Sequence, residues 1–290
     1  MTGSTARAFA VAVRPRQWVK NLVLLAGIVF AAELGDTARL AKAASIVVAY
    51  CLVSSAAYLL NDVRDAESDR LHPRKRLRPV AAGQIGPRAA LLAAAAAALL
   101  GLAIGVVIGL DSAGLLILFM GVQLAYSFGA KHVAVLDVAT IAGLFVLRAV
   151  AGAAAVDVRI SPWLVACSGL LALFLALAKR RAELTSRRAD GRPGRPVLRA
   201  YSVAGLDLAL GVSAFVSVAV YLAYTLTARD TKALVVTVPL VAFGLGRYVL
   251  LVRRRGAGEE PERIILRDGP IVVTVTGWVI VCAALLAAAE

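Results

Sequence analysis

Nine long apolar stretches are the feature of this sequence that most constrains its fold. Most of them reach the roughly 20 residues that a helix needs to cross a membrane, and they are continuously apolar, without the alternation of a barrel strand. Since backbone groups in lipid must be paired within the segment itself, we expect an all-α polytopic membrane protein. The predicted spans are Pro15 to Leu34, Ala43 to Leu60, Arg88 to Leu110, Ala113 to Phe128, Val133 to Val156, Pro162 to Ala178, Val203 to Thr227, Ala233 to Val252 and Pro270 to Ala289.

The composition agrees with this class of protein, because 60% of the residues are apolar and the mean hydropathy is +0.81. We interpret residues 1–290 as one intramembrane domain whose main loops lie at about 61–88, 129–132, 179–202 and 253–269. The three cysteines lie inside apolar runs and lack the spacing of a metal site or disulfide framework. The N-terminus lacks the pattern of a cleaved signal peptide, so we expect it to be retained.

The positive charge of the chain is placed in the loops on one side of the predicted spans. With the N-terminus inside, 25 Lys and Arg residues fall in inside segments and five in outside loops, out of 32 in the chain. This asymmetry predicts a cytoplasmic N-terminus and, with nine spans, an external C-terminus in the plasma membrane. Basic residues confined to such loops do not indicate a nucleic-acid partner, despite a net charge of +14. A homo-oligomer stays open, since lipid-facing and protein-facing surfaces have similar compositions.

The segment from Asn61 to Gly83 carries the strongest chemical signal. Asp62, Asp65 and Asp69 are spaced i, i+3 and i+7, so they share one face if the preceding helix continues through them. With Asn61 they suit Mg²⁺ shared with a phosphorylated substrate, because a divalent cation removes the repulsion between the acids. Bases that could hold phosphate oxygens follow at once: Arg70, Arg74, Lys75, Arg76 and Arg78. The general excess of bases in cytoplasmic loops explains these arginines equally well, but it does not explain the three acids.

Other polar residues near the predicted span ends are candidates for the same site. Lys20 and Asn21 could line a cavity for a lipid headgroup. Alternatively, the Lys20 side chain reaches toward the lipid headgroups at the membrane surface. Arg148 is a charge near mid-membrane, about 16 Å along the helix from Asp137 and too far to pair with it. An interior cavity, an anionic ligand or an interhelical ion pair could each accommodate this arginine. The remaining candidates are Tyr126, Lys131, Lys179, Arg180 and Glu183, with Asp207 of uncertain role.

These motifs resemble the UbiA superfamily of intramembrane prenyltransferases. The similarity rests on NDxxDxxxD at the end of an apolar helix and on the closing RPxxxG at Arg78, Pro79 and Gly83. The resemblance implies nine helices around a central cavity, with cytoplasmic loops capping a Mg²⁺-diphosphate site. The chain departs from ordinary members after the sixth span, where KRRAE at Lys179 to Glu183 stands in place of a second DxxxD box.

That departure makes the chain similar to a narrower branch, the decaprenyl-phosphate phosphoribosyltransferases of mycobacteria and relatives. RPRQWVKN from Arg14, YSFGAKH from Tyr126 and FLALAKRRAEL from Phe174 support this resemblance. It implies Mg²⁺-dependent transfer of 5-phosphoribose from phosphoribosyl diphosphate (PRPP) to a polyprenyl phosphate for cell-wall arabinan precursors. Both substrates are anionic, so extra cations in place of an acidic box suit this reaction.

The roles that we predict on this basis divide the residues into two groups. Asn61, Asp62, Asp65 and Asp69 hold Mg²⁺ on the leaving diphosphate, and the three acids are the catalytic residues. The phosphate-binding residues are Lys20, Arg70, Arg74, Arg78, Lys131, Arg148, Lys179 and Arg180, with Asn21, Tyr126, Asp137 and Glu183 as further candidates.

Two other functions fit the sequence less well. A prenyltransferase acting on an aromatic or quinone acceptor would use the same fold, but the second acidic box is missing. A lipid-phosphate transporter or flippase would also carry intramembrane charges, yet the sequence has no clear inverted repeat and its acids cluster at one face.

Overall fold

The computed structural model describes residues 2–31, 33–73, 75–190, 196–228, 232–255, 258 and 261–288, and these form helices without a strand. This confirms the predicted all-α class. The α-helices are α1 (Thr2–Ala12), α2 (Ala26–Phe30), α3 (Thr37–Arg64), α4 (Ala66–Arg70), α5 (Pro87–Ile108), α6 (Leu110–Phe128), α7 (Leu136–Ala155), α8 (Pro162–Asp190), α9 (Val203–Thr227), α10 (Val238–Arg255), α11 (Pro261–Arg267) and α12 (Gly269–Ala287). Short 3-10 helices join several of them, at Glu33–Gly35, Lys75–Leu77, Ala130–His132, Pro196–Ala200 and Ala233–Thr237.

Eight helices in the described part of the chain are long and apolar enough to cross a membrane. They correspond to the second through ninth predicted spans. The first predicted span is instead a 3-10 helix over Pro15–Leu25 followed by the five-residue α2. A 3-10 helix rises ~2.0 Å per residue and an α-helix ~1.5 Å, so these 16 residues extend about 30 Å, the thickness of the hydrocarbon core. Nine crossings therefore stay a prediction.

Glycines allow this first segment to pack closely against α7. A Cβ atom built on Gly152 would lie 1.9 Å from the carbonyl oxygen of Leu24, and one on Gly27 would lie 2.7 Å from Cα of Ala153. Small residues at such contacts let two backbones approach within a membrane, where packing is a main source of helix association. The 3-10 helix is thus held directly on the face of α7.

The bundle core is made where long helices that follow one another in the chain pack together. α3 packs on α5, α7 on α8, and α8 on α9, while α2 contacts both α7 and α12. The rings of Tyr50 and Phe119 lie 4.9 Å apart between α3 and α6, and those of Phe174 and Tyr248 lie 5.3 Å apart between α8 and α10. Large apolar side chains such as Leu92 are exposed on the outside of the helices, as expected of a surface that faces lipid.

Polar contacts tie the helices together at one end of the bundle, which we call the basic end. It comprises the C-terminal ends of α3, α6, α8 and α10 and the N-terminal ends of the helices that follow them. Asn61 donates a hydrogen bond to Ser127, joining α3 to α6. Arg247 makes a paired contact with Asp268, which caps α12, at 2.7 and 2.9 Å.

Asp207, whose role the sequence left open, joins three helices at the basic end. Its carboxylate accepts a hydrogen bond from Nε of Arg181 on α8 at 2.7 Å, and one from Nε of Arg253 on α10 at 3.1 Å. Arg181 also donates to the backbone carbonyl of Val252. Asp207 is therefore part of the packing between α8, α9 and α10, with protein cations as its partners.

Replacing Gly152 with alanine should destabilise the protein, because the added methyl group would meet the Leu24 carbonyl. The expected cost is about 1–3 kcal/mol, as for other overpacked sites. It should appear as a lower midpoint in thermal unfolding of the detergent-solubilised protein. Gly143 on the same helix has nothing within 4 Å of an added Cβ, so Gly143→Ala is the matched control. Equal midpoints for the two variants would contradict this packing.

Candidate active site

The acids of the Asn61 to Gly83 segment lie on two helices that meet at a break. α3 ends at Arg64, Asp65 leaves the regular helical conformation, and α4 resumes at Ala66. Asp62 and Asp69 are both 1% exposed and are brought together, whereas Asp65 is turned toward Arg64, with 3.1 Å between Oδ1 and Nε. The three acids therefore do not share one face as predicted. Asp62 and Asp69 form a close pair, and Asp65 faces away from them.

Two arginines neutralise the buried pair. Nη1 of Arg78 lies 2.6 Å from Oδ2 of Asp69 and 3.3 Å from Oδ1 of Asp62, so one guanidinium joins both carboxylates. Arg14 pairs with the same Oδ1 of Asp62, and its guanidinium lies 4.8 Å from the centre of the Tyr58 ring. Lys75 is 3.6 Å from Asp69. We call these five residues (Arg14, Asp62, Asp69, Lys75 and Arg78) the acid–base cluster.

Arg14 is the member of this cluster that sequence reasoning missed. It precedes Pro15 in the RPRQWVKN motif, where we predict site roles for Lys20 and Asn21. Burial lowers the pKa of the Arg14 guanidinium from its usual value, and the neighbouring Asp62 carboxylate opposes that effect. Arg14 lies 48 positions before Asp62, and no periodicity or spacing in the sequence connects the two.

The acid–base cluster fits a divalent cation in part. Oδ2 of Asp62 is buried without a hydrogen-bond partner. The amide of Asn61 donates through its nitrogen to Ser127, which leaves its carbonyl oxygen as a further oxygen ligand. Among the described residues, no group of three or more acids, histidines or cysteines is gathered closely enough to hold a metal. Two carboxylates completed by substrate phosphates and water are the usual protein environment of Mg²⁺, and Asp62 with Asp69 matches it.

A second buried cluster surrounds Arg180. This side chain is fully buried, and its Nη1 lies 2.6 Å from Glu183 while its Nε lies 3.4 Å from Asp137. Tyr201 donates a hydrogen bond to Asp137 at 2.8 Å. Burial raises the pKa of the Tyr201 hydroxyl, and the hydrogen bond to Asp137 acts in the same direction, so this hydroxyl keeps its proton and remains a donor. Nε and Nη2 of Arg180 make no hydrogen bond.

Arg148 lies deeper in the bundle than the acid–base cluster. Its Nε donates to Oδ1 of Asn21 at 2.8 Å, and the amide nitrogen of Asn21 donates to the sulfur of Cys51. Cys51 precedes Asp62 by eleven residues on the same helix, a separation of roughly 16 Å along its axis. The guanidinium also lies 4.5 Å from the centre of the Phe119 ring. Nη1 of Arg148 donates to the backbone carbonyl of Leu144. The partners that the structure describes are thus an amide, a carbonyl and aromatic rings, with no carboxylate among them.

The other predicted site residues that the structure describes are partly accessible. Arg70 is exposed and donates to the carbonyl of Ala81 at 3.2 Å. Arg74 lies outside the described residues. The remaining four are half-buried: Lys20, Tyr126, Lys131 and Lys179.

Comparison with known proteins decides the family. Residues 22–266 match the model of the UbiA prenyltransferase family. This chain belongs to the UbiA prenyltransferase family. The match covers most of the chain and includes Asn61, Asp62 and Asp69, while Arg14 lies before its first residue. The predicted family is therefore confirmed.

Two curated members of the UbiA family are similar over nearly the whole chain. The decaprenyl-phosphate phosphoribosyltransferase of Mycolicibacterium smegmatis is 36% identical over 92% of this chain and 89% of its own length. The enzyme of that name from Corynebacterium glutamicum is 32% identical over 92% of this chain and 83% of its own length. The predicted resemblance to this branch is confirmed.

A solved member of the family has the same fold. The structure of a UbiA homolog from Archaeoglobus fulgidus bound to GPP and Mg²⁺ has a TM-score of 0.74 at 19% identity, covering 96% of this chain and 99% of the other. At this identity the similarity concerns the fold.

Replacing Asp137 with asparagine should destabilise the protein, because Arg180 would lose one of its two carboxylate neighbours in a fully buried position. Breaking such an ion pair costs about 3–5 kcal/mol, and Glu183 should reduce the loss toward the lower value. The thermal unfolding midpoint is the measurement. Asp111 is exposed at the first turn of α6, so Asp111→Asn should cost at most about 1 kcal/mol. A midpoint for Asp137→Asn as high as that of the control would show that the pair does not stabilise the fold.

Proposed function

We propose that this protein transfers 5-phosphoribose from PRPP to decaprenyl phosphate and releases diphosphate. The observation that carries the proposal is its similarity, at 36% identity over 92% of the chain, to a decaprenyl-phosphate phosphoribosyltransferase. The basic end supports it, since Arg78 and Lys75 surround the acid pair and Arg180 stands where a second acidic box would be expected in a prenyltransferase. Two anionic substrates need this excess of cations.

The acid pair would hold Mg²⁺ through Asp62 and Asp69, assisted by the carbonyl oxygen of Asn61. Asp65 stays a predicted ligand, and its side chain would have to turn away from Arg64 to join them. When bound, the cation neutralises charge that develops on the leaving diphosphate. The solved homologs with bound Mg²⁺ or Cd²⁺ support divalent-metal use in the family.

The basic residues would bind and orient the two phosphorylated substrates. We assign Arg70, Arg78, Lys131 and Lys179 to phosphate oxygens at the basic end, with Lys20 on the neighbouring 3-10 helix. Arg148 and Arg180 already have buried protein partners, and we assign them to holding the walls of the site. Positioning and charge neutralisation by fixed groups then supply most of the rate.

The bond changes require no general base. The bond between the ribose anomeric carbon and the diphosphate oxygen breaks, and its electron pair leaves with diphosphate. An oxygen of decaprenyl phosphate then forms the new bond to that carbon. The acceptor phosphate is already ionised near neutral pH, so the chain has no proton to remove from it.

We also propose that the basic end faces the cytoplasm. Most Lys and Arg residues fall in its loops, as the positive-inside rule requires. With the Pro15 to Phe30 segment as a crossing, the N-terminus is cytoplasmic and the C-terminus external in the plasma membrane. PRPP would then reach the acid–base cluster from the cytoplasm, and decaprenyl phosphate from the lipid.

Purified protein should move radiolabel from PRPP into lipid extracts when decaprenyl phosphate and Mg²⁺ are present, and EDTA should abolish the transfer. Geranyl diphosphate with an aromatic acceptor, tested in parallel, should give no product. If the protein shows a normal unfolding transition but the radiolabel remains in the aqueous phase, PRPP is not the donor. Product from the prenyl donor would favour the prenyltransferase alternative.

Asp62→Asn and Asp69→Asn should each lower kcat by about 10²–10³, because each removes a charge that positions the leaving group. Glu67, an exposed acid on α4, provides the matched control, and Glu67→Gln should leave kcat unchanged. The unfolding midpoint of each variant separates loss of chemistry from loss of structure. Full activity in a folded Asp62→Asn variant would remove this acid from the reaction.

A further inference from the structure

We propose that Arg14 serves as an exchangeable cation at the active site. It pairs with Asp62 while no metal is bound, and it moves to the diphosphate oxygens when the metal–diphosphate group enters. The inference rests on the proposed function in one respect, namely that Asp62 and Asp69 bind a metal with a diphosphate. It adds a residue that the family match does not reach, because that match begins at residue 22.

The contacts of Asp62 are unevenly distributed. Arg14 and Arg78 both approach Oδ1, whereas the buried Oδ2 has no hydrogen-bond partner. Arg78 also contacts Asp69, so this arginine is fixed between the two acids. Arg14 contacts no second carboxylate among the described residues, while its side chain, 26% exposed, is about as accessible as that of Arg78 at 28%. Arg14 is therefore the cation that can leave with the smaller loss of contacts.

A divalent cation at this pair of acids would place two further positive charges beside two guanidiniums. Such charges repel strongly where water is largely excluded. One guanidinium must withdraw for the metal to gain both oxygens of Asp62. Because Arg78 contacts both acids and Arg14 contacts Asp62 alone, Arg14 is the residue that withdraws.

The backbone of Arg14 is suited to this exchange. Its φ of 53° and ψ of 61° are in the left-handed region, which is costly for a residue with a Cβ. The ion pair with Asp62 and the contact with the Tyr58 ring restrain the side chain in this conformation. A diphosphate offers pairs of charged oxygens to which the planar guanidinium can donate two hydrogen bonds once it has left Asp62.

The exchange predicts opposite effects on two binding constants. Without Arg14, a metal alone meets no competitor at Asp62 and should bind more tightly. A metal–diphosphate group, in contrast, loses a phosphate ligand and should bind more weakly. A merely structural role for Arg14 would weaken both.

The test uses the full-length protein in detergent with Mn²⁺ and ³²P-labelled inorganic diphosphate as probes. Mn²⁺ binding is measured alone by electron paramagnetic resonance, and diphosphate binding by equilibrium dialysis at saturating Mn²⁺. Arg14→Gln should raise the affinity for Mn²⁺ about tenfold and lower that for diphosphate about tenfold, since a charge-assisted hydrogen bond contributes this much. The exposed neighbour Arg16 provides the control, and Arg16→Gln should change neither constant.

Unchanged or weaker Mn²⁺ binding in folded Arg14→Gln protein would overturn the proposal. If this variant does not fold, Arg14→Lys carries the same test. Lysine keeps the positive charge but lacks the planar guanidinium. The affinity for Mn²⁺ should therefore still rise and that for diphosphate still fall, each by a smaller factor. Both constants are measured without PRPP or decaprenyl phosphate, so they do not depend on phosphoribosyl transfer. A wild-type protein that fails to label lipid from PRPP rejects the proposed function alone.

Discussion

Two carboxylates buried side by side at the end of a membrane bundle are the constraint on which the rest of the site depends. Asp62 and Asp69 are almost fully buried, so cations must stand beside them to offset their lost hydration and their mutual repulsion. The chain supplies those cations from three separate places. Arg14 comes from the turn before the 3-10 helix Pro15–Leu25, and Arg78 and Lys75 come from the loop after α4. An N-terminal segment, a long helix and a loop are thereby fixed around one pair of acids.

The other buried arginines at the basic end join neighbouring helices. Arg180 joins α8 to Asp137 at the start of α7, and Arg181, the next residue, joins α8 to Asp207 on α9. Because consecutive residues on a helix point in different directions, these two arginines connect α8 to neighbours on either side. The KRRAE stretch, which stands in place of a second acidic box, thus links α8 both to α7 and to α9.

The sequence predicted the helical class and the family, since apolar length and the NDxxDxxxD spacing are local signals. It could not predict the break at Asp65, which separates the third acid from the pair, because continuation of a helix past its apolar run depends on tertiary contacts. The 3-10 helix Pro15–Leu25 packs closely against Gly152, which is 127 or more residues away in the chain, and no local pattern in the sequence connects the two. Arg14 was missed for the same reason. Arg148 was placed correctly as an interior charge, but its amide and aromatic partners come from elements that only the fold brings together.

The most direct test of this account is an experimental structure of the protein with Mg²⁺ and a non-hydrolysable PRPP analogue. The account predicts the cation between Asp62 and Asp69, with diphosphate oxygens on Arg78 and with Arg14 withdrawn from Asp62. A diphosphate bound elsewhere in the bundle, with the acid–base cluster still closed by its two arginines, would contradict it.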